Sequence, residues 1–354
     1  MGITNGSRKK NEKHRIRTPE THFKKEGIST IRKTFDFFFE LVQMSLLSKS
    51  IPFPLYWYEL LQMKHLKGYF LLLLFLSQSL LTYAQNKDHE VWKIQRTDEI
   101  LAEDGWINLV GLFWIDQENA FLNQIEKDSL VISNQPSGNT IGTFQIENDS
   151  VRFSFNPKLI RQNKDLSPGE TLQFPVEAYG KGGIYYDRWK WTIINRGGQF
   201  AMRLRDLEHP GLSEFPPIPY FDYNSTLAIQ ATFIPKFNET INIPNVLGQV
   251  IEWKVLGILK FEIAGEKYEL TTVDEAGKLF VIFSDLTNET ETYPTGRYLY
   301  VSYPDRNGIT RIDFNFAYNP PCAFTEFATC PIPPKVNRLA IAVRAGEKKP
   351  LGHE

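Results

Sequence analysis

The sequence predicts a mainly β protein over residues 85–354, a sandwich or barrel-like set of antiparallel sheets preceded by one helix. Three observations carry this. Short runs of β-branched and aromatic residues recur roughly every ten residues. Gly, Asn, Asp and Pro stand between them, the residues that turns demand. Helical periodicity is confined to a single stretch, so the strand–helix alternation of a parallel α/β fold is missing.

The helix comes first. Residues 88–103 place Val91, Ile94, Ile100 and Leu101 near helical spacing, and Gly105 is positioned to end the run. The strand runs then follow in order: LVGLFWI, SLVIS, GTFQI, VRFSF, LQFPV, RWKWTII, QFAMRL, LAIQATF, VIEWKVLGILKFEI, YELTTV, LFVIF, RYLYVSY and TRIDFNF, with RLAIAVR last. Trp189 and Trp191 alternate with Lys190, so both rings belong to one sheet face and read as core. Arg196-Gly197-Gly198-Gln199 and Ala264-Gly265-Glu266-Lys267 read as tight hairpin turns, and Asn307-Gly308 as the strongest short hairpin signal. Neither an internal repeat nor a long linker interrupts the pattern, which predicts one integrated domain over 85–354.

The first 84 residues read differently. Lys64 and Lys67 precede an apolar stretch from Tyr69 to Leu81, and Thr82 and Ala84 supply small residues before Gln85. That order is a secretory signal peptide over 63–84 and predicts a periplasmic or secreted protein. The alternative is an uncleaved apolar segment, 69–83, acting as a membrane anchor; with cleavage no stable membrane span remains. Residues 1–62 hold 11 Lys/Arg against 6 Asp/Glu and read as a solvated basic segment, or as an upstream extension if translation starts at Met63. Residues 85–354 carry 27 Lys/Arg against 35 Asp/Glu, a net charge of −8, which argues against a nucleic-acid partner.

Several chemistries lack their residues. Beyond residue 84 the only histidines are His89, His209 and His353, with no H-x-H or H-E-x-x-H pattern, so neither a metal nor another cofactor is expected. No G-x-S-x-G elbow, phosphate-binding loop or dinucleotide fingerprint is present.

One segment stands apart. Residues 310–348 contain both cysteines of the chain, Cys322 and Cys330, bracketed by Pro320, Pro321, Pro331, Pro333 and Pro334. Proline removes backbone donors, so this is a rigid loop rather than a central strand. Phe324 and Phe327 between the cysteines imply that it packs against the sheet. A disulfide between Cys322 and Cys330 leads, since export favours oxidation. It would contribute about 2.5 kcal/mol. It also requires the chain to double back, because eight extended residues would hold the cysteines roughly 26 Å apart. A redox thiol pair and a Cys/Glu metal site are the other two readings, the last a poor ligand set without histidine.

The segments GWINLVGLFWI (105–115), RGGQFAMRLRD (196–206), TYPTGRYLY (292–300) and IDFNFAYNPPCAFTEFATCPIPPKVNRLAIAVRAGEK (312–348) resemble the bacterial and archaeal domain-of-unknown-function family 1684. The resemblance runs over about residues 90–348. It implies no activity and no set of catalytic or binding residues.

Candidate site residues therefore rest on their chemistry. Arg203 and Arg205 share a strand face, and Asp206 closes that strand. Asp313 and Asn315 alternate with Phe314 and Phe316 and are expected on one face of theirs. Asn319, Glu326, Asn337, Arg338, Arg344 and Glu347 complete the polar set, and Arg297 fits the same pattern. The bland reading of all of them is a solvated sheet face with a few loop-fixing ion pairs.

The leading functional expectation is a pocket for a small polar or carboxylate-bearing ligand, lined by Arg203, Asp206, Asp313, Asn315, Asn319, Glu326 and Glu347. One alternative is a hydrolase with Asp313 or Glu326 as general base, which needs burial to raise the carboxyl pKa. Another is a structural or surface-interaction protein. Geometry discriminates: acids and an Arg converging on one cavity favour the enzyme, a cavity without paired acids favours binding, and dispersal favours structure. The patterns assign no oligomeric state.

Overall fold

A helix over 86–101, here α1, opens the computed structural model, which describes residues 86–116, 119–127, 129–161, 164–175 and 182–351. The expected signal segment at 63–84 and the basic segment before it lie outside the described residues. Gly105 ends the helical turn as expected: its N–H donates to the Ala102 carbonyl at 2.7 Å. A Cβ there would meet the Ile100 carbonyl oxygen at 2.2 Å, so glycine is required for the close return.

The buried side of α1 differs from the predicted stripe. Val91 and Ile94 are exposed, whereas His89, Arg96 and Ile100 are buried, with Trp92 and Lys93 partly covered. Ile100 is buried as expected, but the helix buries polar His89 and Arg96 in place of Val91 and Ile94, which hydrophobicity alone did not indicate. Arg96 can be buried because a carboxylate, Glu347, waits for it (below).

Eleven strands form two antiparallel sheets. They are β1 Leu109–Trp114, β2 Asn119–Glu126, β3 Ser129–Ser133, β4 Thr140–Glu147, β5 Ser150–Phe155, β6 Leu159–Arg161, β7 Lys164–Leu166, β8 Thr171–Pro175, β9 Ile184–Tyr186, β10 Trp189–Arg196 and β11 Gln199–Asp206. One sheet runs β1-β11-β10-β9-β6-β7, the other β3-β2-β4-β5-β8. Their inner faces share one core, in which Trp189, Trp191 and Met202 meet Phe144, Phe153 and Phe174. Phe153 touches Trp191 edge-on at 6.0 Å and stacks on Phe144 at 4.3 Å, favourable aromatic geometries. The tryptophan pair is core, as its alternation indicated. Strand β2 escaped the sequence pattern because its interior carries buried Asn123 and exposed Ile125 across a register shift.

The remaining strands form a third antiparallel sheet. After a short helix α2, Gly211–Glu214, come β12 Ala228–Pro235, β13 Thr240–Pro244, β14 Val250–Ile263, β15 Glu266–Glu275, β16 Lys278–Phe283, β17 Arg297–Val301 and β18 Ile309–Asp313. The order is β17-β16-β15-β14-β12-β18, with β13 on β14. This sheet has a core on each face. Leu259, Leu270, Val281 and Leu299 lie on one, and Val273, Phe280, Ile282 and Tyr298 on the other. The mainly β, antiparallel fold with an N-terminal helix is thus the one the sequence predicts.

Two local expectations are corrected. The run TRIDFNF is strand only to Asp313, and Phe314–Phe316 form a 3-10 turn. The Asp313 carboxylate accepts the Asn315 N–H at 3.1 Å, and this cap ends the strand, so Asp313 and Asn315 do not share a strand face. Asn307-Gly308 makes a tight turn, but β18 then pairs with β12 rather than folding back on β17.

The proline-rich segment packs as expected. Ala328 and Cys330 enter the core with Phe280 and Tyr298, whereas Leu339, Val343 and Ala345 enter the core on the other face. On the way, Tyr318 and Tyr298 exchange backbone hydrogen bonds at 2.9 Å, which covers the exposed edge of β17.

Candidate functional site

A cavity of about 710 Å³ lies over the outer face of the third sheet. The sheet supplies its aromatic floor. Phe280 and Lys278 on β16, and Tyr298 and Tyr300 on β17, sit two apart and so project to one side, and Trp253 joins them from β14. Phe280 lies 5.1 Å from both tyrosine rings and 6.2 Å from Trp253. Helix α1 supplies one wall with Trp92, Arg96 and Glu99, spaced four and three apart and hence on one helix face. Trp106, Arg196 and Arg203 supply another, and Thr329, Cys330 and Pro331 of the proline-rich segment close it.

Strand β11 explains why Arg203 faces the cavity. Met202 and Leu204 point into the core between the first two sheets, so Arg203 and Arg205 point the other way. Arg205 donates to the carbonyl of Asp104 at 3.1 Å, just after α1. Arg203 stacks over Trp106 with its guanidinium carbon 5.6 Å from the ring, and its terminal nitrogen reaches Thr329 Oγ1 at 3.4 Å. Arg196 Nε donates to the same hydroxyl at 3.2 Å.

Three other buried cations have acids within 4.0 Å, whereas buried Arg205 has only the carbonyls of Asp104 and Gly105. Arg96 meets Glu347, Arg297 meets Asp285, and Lys190 meets Asp104 and Glu103. Among the described residues, neither Arg196 nor Arg203 has a carboxylate within 4.0 Å. Burial and then the charges of Arg196 and Arg205 push the Arg203 guanidinium down to about 9. At neutral pH it remains charged, and an incoming anion would offset the repulsion from the neighbouring arginines.

The tyrosines beneath are fixed donors. Tyr298 Oη donates to the Pro331 carbonyl at 2.8 Å, and Tyr300 Oη donates to Glu275. Burial pushes the Tyr298 and Tyr318 hydroxyls well above the usual phenol range, so both stay protonated.

Behind the α1 wall, the candidates Asn319 and Glu347 act together. Both are fully buried. Glu347 accepts from Arg96 Nε at 2.9 Å and from the Asn319 N–H at 2.7 Å, and the Asn319 side chain donates to the Lys348 carbonyl. They position the wall.

The other candidates lie elsewhere. Asp206 binds Arg188 at the end of β11 and accepts the Glu208 N–H at 2.9 Å. Asp313 is engaged with Arg311 and with the 3-10 cap. Asn315 is buried and clasps the backbone of Asn224 with both ends of its amide. Glu326 is exposed on the loop between the cysteines. Asn337 staples Thr271 and Ile282, Arg344 pairs with Glu291 at the surface, and Arg338 is exposed. Arg297 is fully buried against Asp285 and the carbonyls of Val343 and Ala345. The acids proposed as general bases, Asp313 and Glu326, do not converge on the cavity.

The structure does not form the expected Cys322–Cys330 disulfide. The chain does double back as a bridge would require, but the contact is the Cys322 N–H donating to Cys330 Sγ at 2.9 Å. Cys330 lines the cavity. No group of three His, Cys, Asp or Glu that could hold a metal occurs among the described residues. No helix among them is long and apolar enough to cross a membrane.

Sequence reasoning missed Trp92, Arg96, Trp106, Arg196, Trp253, Tyr298 and Tyr300 as lining residues. A signal existed for some of them. Arg196 and Arg203 flank the same Gly-Gly hairpin, and RYLYV places two tyrosines on one strand face.

The fold and cavity define a mainly antiparallel β protein whose N-terminal helix walls a pocket rich in arginine and aromatic side chains. Residues 213–348 match the family described as "Protein of unknown function (DUF1684)", and the chain belongs to that family. The matched stretch holds the segments at 292–300 and 312–348, whereas those at 105–115 and 196–206 lie before it. Among solved structures, the chain is similar to an uncharacterized protein of Haloarcula marismortui determined by solution NMR. The two are 31% identical with a TM-score of 0.34, over 40% of this chain and 80% of that one. No curated protein matches the chain.

Proposed function

We propose that this protein binds a small carboxylate-bearing ligand in the cavity over the third sheet. The observation that carries the reading is the pair Arg196 and Arg203. Two guanidiniums converge on one hydroxyl, that of Thr329, with no carboxylate of the described residues within 4.0 Å of either. Adjacent like charges are costly in a desolvated site, and a bound anion is the simplest remedy. The volume of about 710 Å³ lies in the range of small-molecule sites, roughly 300–1,000 Å³. Binding is favoured over hydrolysis because Asp313 and Glu326 stand away from the cavity.

Thermal denaturation of the protein with a panel of small organic acids tests this. Carboxylates that raise the melting temperature of the wild type, and fail to do so for Arg196→Met and Arg203→Met, are the expected result. An equal shift in the variants, or no shift with any acid, overturns it.

We further propose that the protein is exported, with cleavage before Gln85. Support comes from the basic, apolar and small-residue order of 63–84. N-terminal peptide sequencing from the native host is the test. A mature terminus near Gln85 is expected, and a peptide upstream of Met63 overturns it.

A further inference from the structure

We infer that the ligand of this cavity is an aromatic monocarboxylic acid, an inference that rests on the carboxylate-binding reading above and specifies its substrate class. Two features beyond the arginine pair lead there.

The first is the floor. Trp253, Phe280 and Tyr300 form a continuous aromatic surface, with Phe280 tilted at about the same angle to both neighbours, 36° and 35°. Lys278 lies over the Tyr300 ring at 5.1 Å. Trp106, carrying Arg203 on its ring, also lines the cavity. A site that needed only to hold a carboxylate in water would not require so many aromatic groups. A planar ring bound there would contact the floor, while its acid group reached Arg196 and Arg203.

The second is the charge balance. Arg96 is neutralised by Glu347 behind the wall. The remaining ionised lining residues are Arg196, Arg203 and Lys278 against Glu99 and Glu275, a net charge of +1. A monoanion balances that charge; a phosphate monoester, near −2 at neutral pH, would leave an excess next to two acids.

The test is calorimetric titration of the full chain with four probes: phenylacetate, phenylacetamide, acetate and phenyl phosphate. Phenylacetate should bind roughly tenfold or more tightly than either acetate, which lacks the ring, or phenylacetamide, which lacks the charge. Arg203→Met should erase the preference for acid over amide, and Trp253→Leu should reduce the preference for phenylacetate over acetate. Equal binding of acetate and phenylacetate overturns the aromatic assignment and leaves carboxylate binding intact. Tighter binding of phenyl phosphate overturns the monoanion assignment. If no acid binds, both this inference and the reading beneath it fall.

Discussion

Arg96 and Glu347 stand 251 positions apart in the chain and meet at 2.9 Å with both side chains out of solvent. This contact fixes α1 to the end of the proline-rich segment. The same arginine donates to the Asn319 carbonyl at 3.0 Å and lies 4.5 Å over the Tyr318 ring, so one side chain organises the wall on which Trp92 and Glu99 stand. Burial pushes the Glu347 carboxyl above the usual carboxylate range, against the pull of Arg96. A buried ion pair of this kind adds modest net stability, yet removing one partner strands the other.

Glu347→Gln and Arg96→Met are therefore each expected to lower the unfolding free energy by about 3–5 kcal/mol. The double variant should lose clearly less than the sum, because neither charge is then stranded. Denaturant unfolding of all four proteins gives the coupling directly. Strict additivity would mean that the two side chains act independently.

His89 predicts a pH dependence. Its ring stacks on Trp92 at 5.6 Å and meets Tyr220, Tyr223 and Phe316 at 5.6–6.2 Å. Burial, then Lys93, pulls its pKa below the ordinary histidine value of 6.5, while the Asn315 backbone, Glu90 and Asp313 oppose this. Above that value the imidazole is neutral in both folded and unfolded chains and contributes no slope. As pH falls through it, the unfolded chain takes up a proton that the folded chain resists, so stability drops. His89→Phe, which suits the aromatic surroundings, should flatten the stability profile below about pH 6.5. An unchanged slope would assign the effect to other groups.

The thiol pair carries a third expectation. The hydrogen bond from Cys330 lowers the Cys322 pKa, whereas burial raises that of Cys330. Cys322 should thus be the faster to alkylate in the native protein, with both cysteines labelled after denaturation. Oxidised glutathione should convert the pair to an internal disulfide, releasing two reduced glutathiones and lowering the protein mass by two hydrogens. Preferential labelling of Cys330, or dimers on oxidation, would contradict the geometry. In an oxidising compartment the bridge is the expected state, so the same mass measurement also bears on export.

The class of fold was legible because strand periodicity is a local property, and β10 and β11 show it plainly in RWKWTII and QFAMRL. The helix was found, but of its buried face only the Ile100 end was. Arg96 reads as a solvent residue until Glu347 is brought to it from the far end of the chain. Arg203 was legible as a pocket residue from simple alternation against core Met202 and Leu204. Asp313 was not, because its own capping of the next turn ended the strand that the alternation assumed. Where function depends on pairings across more than a hundred residues, composition and spacing alone carry little of it.

Gly346 gives the last prediction, since it sets the backbone that delivers Glu347. It adopts φ +79°, and an added Cβ would lie 2.3 Å from the Ala317 carbonyl oxygen and 2.9 Å from that of Phe314. Both contacts are backbone, so neither can swing away. Gly277, in the hairpin between β15 and β16, has nearly the same φ, +76°, with nothing within 4 Å of its Cβ position. Alanine at Gly277 pays only the conformational cost of left-handed backbone, about 1–2 kcal/mol. Alanine at Gly346 pays that and must also displace the strand-edge turn at 314–317. Gly346→Ala should therefore destabilise well beyond Gly277→Ala and weaken the Arg96–Glu347 coupling measured in the double-mutant cycle. Equal losses at the two glycines, with the coupling preserved, would show that the turn accommodates the methyl group and that Glu347 is held by its own contacts alone.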